Sequence, residues 1–308
     1  MNRVSTVGNY SAVLANLMAA QERQNDAGAR VSSQKNGVNL KDYAKDAEML
    51  TSMRSVLERN DGYIEQNKLI TDKLAIQDLA FVRISDSALG ARDTIAGAVA
   101  TGRADTTMQQ LQEYFRDAVD SLNTRYGGKY LFAGGAIDTR PVDAQNLADL
   151  TAAPTVDDLF NNDEFAVKAR IDDSTVVRTG FLADSVGAPL FEAMKAIQAY
   201  HEGPSGPLTG RLTQAQSDFL RSQLDAFNSV HEDLTNVTGQ NGLLQRRVED
   251  VGNDVENRQV SLQGMIGDIT DADMAEAVSR LELAQFSVQA SAQVFSVLQQ
   301  TSLLNLLK

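Results

Sequence analysis

FNSVHEDLTNVTGQNGLLQRRVEDVGNDVENRQVSLQGMIGDI, residues 227–269, carries Phe227, Val230, Leu234, Val237, Leu244, Val248, Val251, Val255, Leu262, Met265 and Ile269 at alternating steps of three and four. Only Asn241 and Arg258 interrupt the series. An apolar repeat of 3.5 residues held this long specifies helices wound around one another with a left-handed twist. At 1.5 Å per residue the stretch would run roughly 65 Å. These apolar positions are the expected core of a coiled-coil rod, and a helix bearing such a stripe needs neighbours to cover it. Asn241 and Arg258 are read either as polar residues that set register or as points where the bundle opens to another subunit.

Working outward, all five prolines, Pro141, Pro154, Pro189, Pro204 and Pro207, fall in one central window, so long helices are permitted on both flanks and discouraged between them. The first flank has a looser stripe, Leu50, Met53, Leu57, Ile64, Ile70, Leu74 and Phe81, from about Asp42 to Ala100, with Gly90, Gly97 and Gly102 marking a fraying end. A third helix is expected from a capping-box pair, Thr107 and Gln110, with Met108, Leu111, Phe115, Ala118 and Leu122 on one face. Lys129 to Ala133, between two Gly pairs, reads as a short strand or hairpin. Inside the window, Phe165–Ile171 and Thr175–Leu182 are β-prone runs separated by Asp172, Asp173 and Ser174.

The expected fold is therefore mainly α with a small β-containing central domain: an elongated helical bundle with both termini at one end. Residues 1–35 and 270–308 form a terminal helical domain, 36–140 and 208–269 a helical rod with a short hairpin, and 141–207 a peripheral β-rich domain. Neither heptad stripe takes a residue from 141–207, so this window is expected to be dispensable for closing the rod.

The two ends differ from the rest. Residues 4–21 and 283–307 hold no charged side chain, although 22% of the chain is charged. They mix apolar residues with Gln, Asn, Ser and Thr, too polar for a lipid span and too apolar for a solvated tail, which points to a partner surface and not to membrane anchoring. At the N-terminus Val7, Tyr10, Leu14 and Leu17 form one helical stripe. At the C-terminus Met274, Val278, Leu281, Val288, Ala292 and Phe295 form one stripe, and Leu283, Phe286, Ala290, Val294 and Val297 a second. These are the candidate subunit-packing residues. Asn9, Tyr10, Ser11 and Asn16 interrupt any signal-peptide core.

Composition excludes several functions. A net charge of −13 disfavours nucleic-acid binding, which runs on clustered Lys and Arg. With no Cys there is no disulfide, thiolate metal site or Cys nucleophile. His201–Glu202 and His231–Glu232 begin a zinc-protease pattern, but Ser205 and Thr235 stand where the second His is needed, so both read as solvated histidines. Gly128–Lys129 fails as a phosphate loop, with Asn123 and Tyr130 at the required positions. The sequons at Asn9 and Asn236 are chance patterns, and the acidic pairs Asp157–Asp158 and Asp172–Asp173 read as loop solvation. No catalytic residue, cofactor or metal is expected.

Three groups of residues carry a family resemblance. Ala29 to Val38 (ARVSSQKNGV) is similar to the loop after the first helix of the flagellin superfamily. Ile269 to Ala275 (ITDADMA), Gln289 to Ser291 and the ending Ser302 to Leu307 (SLLNLL) resemble its C-terminal region. Within the superfamily, Gly127 to Gly134 (GGKYLFAG) is most similar to the hook–filament junction branch. Leu40, Lys41, Asp42 and Tyr43 depart from the acidic or Pro-containing stretch usual there. The resemblance covers the two flanks and implies a nonenzymatic structural subunit of the bacterial flagellum that joins hook to filament. The alternatives are a filament subunit or, from another class, a type III secretion tip or translocator component. It further implies extracellular assembly with copies of itself, the proximal hook-associated protein and flagellin, after export without a cleaved signal and with help from an export chaperone.

Overall fold

The computed structural model describes the backbone of residues 3–37 and 39–304, and the side chains of 10–37 and 39–299. Its helices are α1 (Arg3–Ser33), α2 (Ala47–Thr101), α3 (Thr107–Leu122), α4 (Leu147–Ala152), α5 (Ala183–Glu202), α6 (Gln214–Thr270) and α7 (Met274–Leu304). The strands are β1 (Arg125–Tyr126), β2 (Lys129–Tyr130), β3 (Lys168–Arg170) and β4 (Val176–Arg178), paired as two antiparallel hairpins. The fold is thus mainly helical with small β elements. The chain divides into two compact units, residues 1–59 with 257–308 and residues 60–256.

The core of the second unit is built from heptads on both long helices. On α2, Phe81, Ile84, Ala88, Ala91, Ile95 and Ala98 are buried at alternating steps of three and four, and on α6 Phe227, Val230 and Leu234 join them. Val248 belongs to a smaller cluster with Ile70, Leu74, Ile171 and Val177, against which Leu244 and Val251 pack. Val237 packs against the main core and Val255 is buried. Of the remaining rod positions, which fall in the first unit, Leu262 and Ile269 are half-buried, whereas Met265 and the interrupting Arg258 are exposed. Asn241 is fully buried, and its amide donates to the Leu74 carbonyl of α2 at 2.9 Å, so it is used inside the chain.

The central window departs from the expectation. It holds a 20-residue helix, α5, with Pro189 in its interior. Pro removes one helical hydrogen bond and costs about 3 kcal/mol, but Val186, Leu190, Phe191, Met194 and Ile197 are buried on the same helix and offset that loss. Phe191 lies between Phe115 of α3 and Phe160, with ring centroids 4.9 and 5.4 Å away. Leu147, Leu150 and Val156 complete the same core. The window therefore supplies much of this unit's interior, which overturns the reading that the helices close without it. Its β-prone runs do pair, but over only three residues each. The β3–β4 hairpin is fastened to α2: Asn67 and Gln66 donate to the carbonyls of Ile171 and Arg170 at 3.1 and 2.9 Å, and the Tyr63 hydroxyl reaches Asp173 at 3.1 Å.

Local readings shift in two further places. Gly90 does not fray a helix end, since α2 continues to Thr101. A Cβ at Gly90 would lie 2.4 Å from the Tyr114 ring, so glycine admits α3 close against α2. The α3 cap falls on Thr106, not Thr107, and makes no side-chain cap bond; Thr107 is buried instead. The GGKYLFAG stretch does form a hairpin. Gly127 and Gly128 take positive φ at its two-residue turn, and the chain then sends Phe132 into the core 5.6 Å from Phe81. Gly134 also has positive φ, and a Cβ there would meet an Asp163 carboxylate oxygen at 2.2 Å.

Candidate functional site

In the first unit, residues 34–36 and 270–272, from the two family-like stretches, are hydrogen-bonded to each other. Helix α1 ends at Ser33, and Gln34 turns the chain out of it with φ of 59°. Backbone bonds then run from Asn36 to the Thr270 carbonyl (2.8 Å) and from Ala272 to the Gln34 carbonyl (2.9 Å). The Asn36 side chain donates to the Asp271 carbonyl at 2.8 Å, and Lys35 pairs with the Asp271 carboxylate. The Lys35 hydrogen bond, followed by that of Thr270, holds the Asp271 carboxyl below its ordinary range. Leu40 to Tyr43 forms a 3-10 turn whose Tyr43 hydroxyl accepts from the Gly37 N–H (2.8 Å) and lies 3.2 Å from the Thr270 carbonyl. The stretch that departs from the family pattern thus supplies a further pin between the same segments.

From this clamp α1 and α7 run antiparallel. Lys35 meets Asp271 at one end, Gly28 approaches Leu281, and the Tyr10 and Phe295 rings stand 5.0 Å apart further along. The inner face of α7 is Ala277, Leu281, Ala284, Val288, Ser291, Phe295 and Leu298, in heptad steps; that of α1 includes Val13, Leu17, Ala20, Gln24, Ala27 and Val31. Small side chains are the most buried of these: Ala20, Ala27, Ala277 and Ala284. An alanine every heptad lets two backbones approach closely. The apolar stripes sought in the sequence passed over these alanines, although the seven-residue spacing of Ala20 to Ala27 and of Ala277 to Ala284 was there to see.

The predicted packing residues separate into two groups. Leu14, Leu17, Leu281, Val288 and Phe295 are half-buried, and Tyr10 is exposed apart from its contact with Phe295. Met274, Val278 and Ala292 are exposed, and the side chain of Val7 lies outside the described residues. The second stripe faces outward: Leu283, Phe286, Val294 and Val297 are 65%, 69%, 52% and 57% exposed, and Ala290 is exposed beside them. The result is a helix pair that buries one seam and presents another, on a stretch of α7 that holds no charged side chain from Leu283 onward.

Among the described residues no cluster of His, Cys, Asp and Glu could hold a metal, and no helix is long and apolar enough to cross a membrane. The histidines are not simply solvated. His231 Nδ1 lies 2.7 Å from the Ser85 hydroxyl, joining α6 to α2, and His201 Nδ1 accepts from the Leu208 N–H at 3.1 Å.

Paired terminal helices with an uncharged outer stripe, in a chain that also has long heptad helices, fit a structural subunit and not a catalyst. Comparison with known families makes this specific. Residues 4–136 match the bacterial flagellin N-terminal helical region and residues 224–307 the bacterial flagellin C-terminal helical region. The chain belongs to the bacterial flagellin family, and it is a structural subunit of the bacterial flagellum, not an enzyme. A search of curated protein sequences finds no significant match. Among solved structures, the fold is similar to a protein described as a flagellar hook-associated protein from Vibrio parahaemolyticus, with a TM-score of 0.60 and 14% identity, covering 75% of this chain and 100% of that one. It is also similar to Bacillus cereus FlgL, with a TM-score of 0.53 and 14% identity, covering 71% and 99%.

Proposed function

We propose that this chain is the subunit that joins hook to filament. The observation that carries the reading is the outward stripe Leu283, Phe286, Val294 and Val297, on a helix already paired with α1. Apolar side chains so placed gain free energy only when a further subunit covers them. Two considerations favour the junction over the filament: the likeness to GGKYLFAG-bearing junction subunits, and the fold match along the whole length of a hook-associated protein. In this reading copies of the chain associate with one another, with the proximal hook-associated protein on one side and with flagellin on the other. The protein reaches that place through the flagellar type III route, escorted by an export chaperone.

The test is a strain lacking the gene. It should make complete hooks and release flagellin into the medium, and a plasmid copy should restore attached filaments. Hooks that still carry filaments in that strain would overturn the proposal, and loss of filament protein without release would point to a filament subunit.

A further inference from the structure

The seam between α2 and α6 changes character partway along. From Phe81 to Ala98 the inner positions of α2 are almost all apolar, but toward its start Asn60, Asn67 and Gln77, each at most 4% exposed, share them with Ile70 and Leu74. Asn241, fully buried on α6, lies at the level of Leu74, Gln77 and Asp78. Their hydrogen bonds are incomplete. Asn241 donates to the Leu74 carbonyl and, at 3.3 Å, to Asp78, yet its own oxygen has no protein partner. Gln77, adjacent to Asp78, has neither its oxygen nor its nitrogen paired; Asn67 Oδ1 and Asn60 Nδ2 are in the same position.

Buried amide groups without partners are rare in proteins, and where they cluster the usual partner is ordered water, making about three hydrogen bonds per molecule. Gly242 follows Asn241, and a Cβ there would meet nothing within 4 Å, so the packing beside this level is open. The neighbouring apolar cluster is small, with two of its five buried members, Ile171 and Val177, supplied by the β3–β4 hairpin that covers this level.

We propose that the α2–α6 seam at the level of Gln77 and Asn241 is a water-binding layer, in which ordered water bridges the side-chain amides of these two residues. The layer fixes α2 against α6 by hydrogen bonds of defined geometry, where a continuous apolar stripe would tolerate sliding. It also leaves this section easier to open than the section from Phe81 to Ala98, because each local opening exposes groups that water already satisfies.

The test uses the full chain and the double variant Gln77→Leu with Asn241→Leu. Nuclear magnetic resonance should detect long-lived water cross-peaks at the Gln77 and Asn241 side-chain amides of the parent, and the variant should lose the water signals at this level. Backbone hydrogen exchange over residues 67–81 and 237–248 should be faster than over 84–98 in the parent and slow by about tenfold in the variant. Gln77→Met alone, which keeps the volume, should move in the same direction if the pair of leucines misfolds. No water signal in the parent, or faster exchange in the Gln77→Met protein, overturns the proposal.

Discussion

Phe286→Asp separates association from folding. Phe286 is 69% exposed on α7, so the isolated chain loses almost nothing when the ring is replaced, and the monomer should stay within about 0.5 kcal/mol of the parent. In an assembly that covers this face the balance differs. Burying the ring contributes about 2 kcal/mol, and a carboxylate left unpaired in the same contact costs several more. A combined loss of about 5 kcal/mol corresponds to incorporation weakened by a factor on the order of a thousand or more. Val288→Asp is the contrasting perturbation: Val288 is half-buried on the α1-facing side, so its charge should loosen the helix pair in the free monomer, by about 1–3 kcal/mol. The assay is paired. Circular dichroism melts of purified protein report the fold, and electron microscopy of a complemented deletion strain counts attached filaments. The Phe286→Asp protein should melt like the parent, be secreted normally and attach no filaments. Normal attachment, or a melt lowered as far as that of Val288→Asp, would refute the assignment of Leu283, Phe286, Val294 and Val297 to a subunit contact.

Asp271 is held below its ordinary value of 3.8 by Lys35, so its contribution to the clamp is present above that value and is lost as pH falls through the lowered one. A carboxyl titration by nuclear magnetic resonance should show the depressed value in the parent and a return toward the ordinary one in Lys35→Met. Gly90→Ala places a methyl 2.4 Å from the Tyr114 ring and should destabilise the chain by about 1–3 kcal/mol in denaturant melts. Adding Tyr114→Ala should cost less than the sum of the two single changes, and strict additivity would count against the contact. Replacing residues 145–200 with a Gly-Ser linker removes Phe191, Leu190, Met194 and Ile197 from the core, so the product should fail to melt cooperatively. A sharp, parent-like transition would return that window to a peripheral role.

Much of this protein follows from spacing alone. The alternation from Phe227 to Val255 required a long helix with a covered face, and the Gly127–Gly128 pair required a turn; each rests on a period or a backbone preference that a few neighbouring residues express. The outward stripe of α7 could be counted in the sequence as a second face, but which of the two faces would meet α1 could not. That choice was made by Ala277 and Ala284, which allow close approach to Ala20 and Ala27 and leave the bulkier Leu283 and Phe286 outside. Other features belong to the tertiary structure entirely. Helix α5 persists through Pro189 because burial of Phe191 and its neighbours outweighs one missing hydrogen bond, and that burial depends on Phe115 and Phe160, distant in sequence. Asn67, Gln77 and Asn241 look like flaws in a heptad until α2, α6 and the β3–β4 hairpin enclose them. Local sequence sets what each segment can form, while long-range packing decides which polar positions are buried and which apolar face stays exposed.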